Sequence, residues 1–167
     1  MLNNSVKKRN NYLTLNKGIL DGVEKEMAVI GPRGVVGIVK DVSKHYCLVL
    51  SILHEKVSIS ARLKDASHFG PTSWEGTDPD IVQLNDIPSH VRIIEGQDLV
   101  TSGYSAMFPP GLPIGKVLTS EISPGDNFHS IDVELSETLN SLTHVYVIIN
   151  HEQLEQRQLE EDQVDGE

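Results

Sequence analysis

The run Phe108-Pro109-Pro110-Gly111-Leu112-Pro113-Ile114-Gly115-Lys116-Val117-Leu118-Thr119 constrains the fold more than any other stretch. Three prolines and two glycines lie directly against a strand pattern. Proline fixes φ and removes a backbone donor, and glycine permits φ > 0 or close backbone approach. The run therefore reads as a rigid turn feeding a β-strand. It holds no nucleophile and no acid, so its chemistry is that of a shaped surface.

Strand signals fill the rest of the chain. Val57, Ile59, Ala61 and Leu63 alternate with polar residues, as do Ile131, Val133 and Leu135, a period of two. Residues 35–42 and 46–53 are apolar on both faces in part. Turn residues recur between the strands at Gly31-Pro32, Pro71, Pro79, Gly96 and Pro124-Gly125. Many short strands at such spacing predict an all-β protein of small barrels. A duplication is also visible. Residues 27–31 lead through the glycine-bearing strand of Gly37 to the strand at 46–53. Residues 99–103 lead through that of Gly115 to the strand at 130–135. Glycine inside a strand marks a bend or a close approach, so two barrels of similar plan are expected. The ends differ. Residues 1–9 carry Lys7, Lys8 and Arg9 without a core pattern and read as a linker. Residues 151–167 are rich in Glu and Gln and read as a fraying helix or a disordered acidic tail.

Charge narrows the partners. The tail segment 152–167 carries −6 of the net −10, leaving −4 on the body. An acidic body argues against nucleic acid, which needs clustered Lys and Arg. Cys47 is the single cysteine, so no intrachain disulfide forms, and its apolar setting reads as core. No apolar run approaches the ~20 residues of a membrane span.

Three kinds of chemistry can be weighed on the residues. A double barrel invites comparison with serine proteases, and His45 or His54, Asp78 or Asp80, and Ser102 or Ser105 supply the residue types. The sequence around Ser102 lacks the glycine pattern of an oxyanion hole, and no catalytic block surrounds either histidine. The seven histidines never pair at ligand spacing, so neither metal nor cofactor is expected. The third is recognition. Trp74, Tyr104, Met107, Phe108, Pro109 and Pro110 are candidate partner-binding residues, since rigid aromatic anchors lose little entropy on binding. The core reading of the same residues is Trp74 as a plug and Tyr104, Met107 and Phe108 as a lid over the turn.

Three blocks together resemble the extracytoplasmic part of the rod shape-determining MreC family. They are Asn16-Lys17-Gly18 with Asp21-Gly22-Val23, Gly34-Val35-Val36-Gly37-Ile38-Val39, and Asp98-Leu99-Val100-Thr101-Ser102-Gly103-Tyr104 with the proline run. They occur in the family's order and span roughly residues 10–150. The resemblance implies two six-stranded barrels, one inserted in the other, in a chymotrypsin-like arrangement without catalytic residues. The inserted barrel would take residues 23–89, and the other 10–22 with 90–150. It further implies a non-enzymatic scaffold of the bacterial cell-elongation machinery, held at the periplasmic side of the inner membrane by an N-terminal helix and coiled coil that this sequence lacks. Such a scaffold would self-associate as a dimer or filament, bind a class B penicillin-binding transpeptidase and the membrane protein MreD, and connect indirectly to actin-like MreB. A protease-like hydrolase and a peptidoglycan-binding module are the alternatives.

Overall fold

The structure is a computed structural model that describes residues 3–6, 10–104, 107–149 and 151–166. The strands among them are β1 (Asn3–Asn4), β2 (Asn10–Leu15), β3 (Ala28–Ile30), β4 (Val35–Val42), β5 (Cys47–His54), β6 (Ser60–Leu63), β7 (Phe69–Ser73), β8 (Ile81–Leu84), β9 (Asp98–Thr101), β10 (Pro113–Glu121), β11 (Ser130–Leu135) and β12 (Tyr146–Ile148). They form two antiparallel layers. One is a six-stranded sheet in the order β1-β2-β5-β4-β3-β12, and the other is a closed barrel, β10-β11-β8-β7-β6-β9.

The alternating segments bury the residues their period assigns to the core. Ala61 and Leu63 on β6, Val82 and Leu84 on β8, and Ile131 and Val133 on β11 all lie inside the barrel at 1% exposure or less. Closure removes the barrel's free edges. One apolar cluster runs through both sheets, from Leu13, Val29 and Val49 to Leu99, Ile114 and Val133.

The all-β class of two six-stranded units stands, and the topology sets the boundary between them. Among the described strands one unit closes as a barrel, and in the other sheet β1 and β12 are end strands. The chain crosses from sheet to barrel after His54, not near residue 23, and returns after Leu135, not at 89. Strands β3 to β5 therefore belong with β2 and β12, because Leu13 pairs with Val49 and Val147 with Val29. Turn spacing places strands along the chain, but it does not choose their partners, and the choice is made by side-chain packing across the ladder.

Two further features concern the ends of the chain. Asn3 and Asn4 pair with Thr14 and Leu13, so part of the 1–9 segment is a strand; residues 7–9 lie outside the described residues. The acidic tail is helical from His151 to Asp165 (α1). Glu, Gln and Leu are good helix formers, and Gln156 donates to Glu160 one turn on at 2.9 Å. Leu159 and Val164 on this helix are exposed. Among the described residues, no helix is long and apolar enough to cross a membrane.

Sheet and barrel are joined by a charge that the sequence does not mark. Glu137 is 4% exposed, and its carboxylate accepts the Arg33 backbone N–H at 2.7 Å. The β3–β4 turn thus rests on the segment leaving β11. Gly34 lies so close to the Pro113 carbonyl of β10 that a Cβ there would approach its oxygen to 2.7 Å.

Candidate partner-docking site

The proline run is held by the strand before it. Thr101, the last residue of β9, is fully buried. Its hydroxyl donates to the Pro109 carbonyl at 2.6 Å and accepts the Leu112 N–H at 2.9 Å. Its backbone also bonds both sides of the loop, accepting from Gly111 N–H and donating to the Leu112 carbonyl, each at 2.9 Å. One side chain therefore satisfies a carbonyl and an amide that proline chemistry leaves without local partners. Replacing Thr101 by valine keeps the shape and removes both bonds. The expected cost is roughly 1–3 kcal/mol, that of leaving buried backbone groups unpaired. Chemical denaturation checks this; an unchanged midpoint would mean that the hydroxyl does not hold the loop.

Ser102 carries the loop outward. Its N–H donates to the Ser60 carbonyl at 3.0 Å, and its hydroxyl lies 2.7 Å from the Ser60 hydroxyl. The same oxygen accepts the Tyr104 N–H at 3.0 Å. Gly103 has φ +75°, and a Cβ there would meet the Pro110 ring at 2.7 Å, so proline folds directly over glycine. At the foot of the loop, Lys116 binds Asp98 across the β9–β10 ladder at 2.6 Å. That bond, followed by the ammonium charge, holds the Asp98 carboxyl below its ordinary range.

The loop presents an aromatic face. Tyr104 is 78% exposed and stacks on Phe69 of β7, with ring centroids 4.7 Å apart and planes 25° apart. Phe69 is itself 45% exposed. Beside them runs a groove lined by Ser58, Ser60, Phe69, Gly70, Pro71 and Asp86. Pro110 is exposed, and Met107 and Pro109 are half-buried.

Two of the six candidate residues are core instead. Trp74 is 6% exposed, and its indole N–H donates to the Asp78 carbonyl at 2.8 Å, so it plugs the barrel and ties its own loop. Phe108 is 2% exposed. Both are large apolar groups beside turns, and the sequence does not say which way such a turn faces. The sequence does not single out Phe69, because its place opposite Tyr104 follows from the pairing of β7 with β6 and of β6 with β9, which no spacing reveals.

The hydrolase candidates do not converge. Ser102 bonds Ser60 and Tyr104, and His54 bonds Tyr12 and Lys56. Asp78 accepts the Asp80 N–H at 2.9 Å, and Ser105 lies outside the described residues. A Ser–His contact does occur between Ser120 and His129 Nδ1, at 3.0 Å. The other ring nitrogen meets the Val91 carbonyl at 2.7 Å, so no carboxylate orients this ring, and it ties the β10–β11 hairpin to the preceding loop. Burial pushes the Cys47 thiol above its ordinary range, against a smaller lowering by a backbone bond at Leu15. Among the described residues, no three His, Cys, Asp or Glu side chains gather as metal ligands.

Comparison with known proteins places these features in a family. The family model described as rod shape-determining protein MreC, barrel core, matches residues 1–149. The cell shape-determining protein MreC of Listeria monocytogenes is 28% identical over 142 residues, which is 83% of this chain. The chain spans about half of that relative, 48% of its length. A solved MreC from Listeria monocytogenes superposes with a TM-score of 0.81 at 25% identity, covering 89% of this chain and 72% of that one. In a solved complex between penicillin-binding protein PBP2 and MreC from Helicobacter pylori, the matching chain has a TM-score of 0.62 at 18% identity, with 80% of this chain and 83% of that one covered.

Proposed function

The chain belongs to the rod shape-determining MreC family, and on that premise we propose that it is a non-enzymatic, extracytoplasmic scaffold of the cell-elongation machinery whose aromatic loop docks a cell-wall synthesis enzyme. The partner is a class B penicillin-binding transpeptidase, a reading supported by the H. pylori relative that was solved in complex with PBP2. MreD is the partner in the membrane, and MreB is reached indirectly through it. Self-association uses the free edges of the open sheet, at β1 and β12, because unpaired strand edges invite pairing with another chain.

The observation that carries the docking reading is the Phe69–Tyr104 stack. A 78% exposed tyrosine held at a fixed angle by a buried threonine, a serine pair and two prolines contributes nothing evident to the core. Exposed aromatics on rigid supports are the groups that dominate interface energies. Tyr104, Met107, Pro109 and Pro110 form this surface together with Phe69.

The test is binding of the soluble chain to the extracytoplasmic domain of a class B penicillin-binding transpeptidase. Tyr104→Ala is expected to weaken it tenfold or more, about 1.4 kcal/mol, with the melting temperature unchanged. Equal affinity of variant and wild type would remove the loop from the interface. Labelling of the chain by a fluorophosphonate probe would favour the hydrolase alternative, and co-sedimentation with purified sacculi would favour the peptidoglycan-binding one.

A further inference from the structure

The first crossover between sheet and barrel leaves β5 at His54 and is capped by the ring of that residue. His54 is 2% exposed. Its Nδ1 accepts the Lys56 backbone N–H at 3.0 Å, and its carbonyl accepts the Val57 N–H at 3.1 Å. A ring nitrogen that accepts from an amide carries no proton, so the imidazole proton sits on Nε2. That nitrogen donates to the Tyr12 hydroxyl at 3.2 Å, and the ring meets Tyr12 edge-on, 5.2 Å between centroids. Both nitrogens are committed to the neutral ring. A second proton on Nδ1 would point straight at the Lys56 N–H.

The surroundings act in the same direction. Burial is the largest influence and holds His54 below the ordinary histidine range. Lys40 on β4, placed 5.6 Å over the Tyr12 ring, and Lys56 on the turn both oppose a further positive charge, while Glu55 favours it. The turn is also stitched to β2 through Asn10, which contacts Glu55 at 3.4 Å.

We propose that His54 is a proton-sensitive cap on the turn that leads from the open sheet into the barrel. Protonation expels the Lys56 amide from Nδ1 and opens the turn at 54–57. The sign follows from the lowered affinity of the folded state for the proton. The contribution of His54 to stability is complete above the unfolded value near 6.5 and is lost as pH falls through the lower folded value.

The experiment is an NMR titration of the whole chain from pH 8 to pH 4.5, following the His54 ring and the Lys56 amide. Exchange protection of the Lys56 amide, taken relative to that of Val49 inside β5, should fall at least tenfold as the ring protonates. His54→Asn keeps an acceptor two residues before the Lys56 N–H and cannot titrate, so its relative protection should stay flat. A ring that remains neutral to pH 4.5, protonation without loss of Lys56 protection, or an asparagine variant that responds like wild type would each overturn the proposal. If His54→Asn does not fold, the wild-type titration decides alone. Neither readout involves the transpeptidase, so failure of docking and failure of the proton-sensitive turn are distinguishable.

Discussion

Replacing Gly115 by valine is expected to destabilise the protein by about 3 kcal/mol, at the upper end of the usual cost of overpacking, and Gly37→Val by a similar amount. Each glycine lies inside a strand, and each is pressed against a neighbouring backbone. A Cβ on Gly37 would collide with the carbonyl oxygen of Leu50 on β5, and one on Gly115 with that of Glu134 on β11. A backbone oxygen inside a ladder cannot swing away as a flexible side-chain end can. The environments match further, since the next groups met are the Val49 and Val133 side chains, the residues just before those carbonyls. Both strands also shift register near their glycine, between Val39 and Asp41 on β4 and between Pro113 and Gly115 on β10. For a chain of this length, a loss of 3 kcal/mol lowers the melting temperature by roughly 6–12 °C. A melting temperature unchanged within error would show that the strands do not approach as described.

This pair is where the sequence was most legible. Gly37 and Gly115 stand at corresponding places of two repeated patterns, and the same close approach explains both. The alternation at Val57, Ile59, Ala61 and Leu63 was equally legible, because one face of each strand must be apolar to reach the core. Partner choice was not legible. Local pattern marks β3, β4 and β5 as strands, yet only packing decides that they lie beside β2 and β12, outside the barrel. Burial next to turns was hidden for the same reason. Trp74, Phe108 and Tyr104 all sit near prolines or glycines, and two face inward while one faces out. Glu137 and Thr101 were invisible because their roles lie in backbone groups distant in the chain or across a loop, and nothing in a lone glutamate or threonine announces such a partner. Glu and Gln content left the tail open between a fraying helix and disorder, and the helix formers among those residues favour α1.

Trp74→Ala is expected to cost roughly 3–5 kcal/mol, as for other large aromatic deletions from a core. It removes the largest side chain from one mouth of the barrel and the indole bond to the Asp78 carbonyl at 2.8 Å. The buried residues of the barrel strands are mostly Val, Leu, Ile and Ala, and short branched side chains anchored on a closed sheet cannot collapse into a cavity that size. Trp74→Phe should recover much of the loss but not the hydrogen bond. Because the chain has one tryptophan, wild-type fluorescence reports this site alone and should resist quenching by acrylamide. An alanine variant that unfolds at the wild-type denaturant midpoint would return Trp74 to the surface and to the list of partner contacts.

Docking of a transpeptidase on the loop between β9 and β10, as proposed above, is open to photo-crosslinking. A crosslinking amino acid is placed at position 104, next to Phe69, and in a second sample at position 20, where Leu20 is 64% exposed on the open-sheet half of the molecule. Each is irradiated with the extracytoplasmic domain of a class B penicillin-binding transpeptidase. An adduct is expected from position 104, abolished by Phe69→Ala, and none from position 20. An adduct from position 20 with none from position 104 would contradict it.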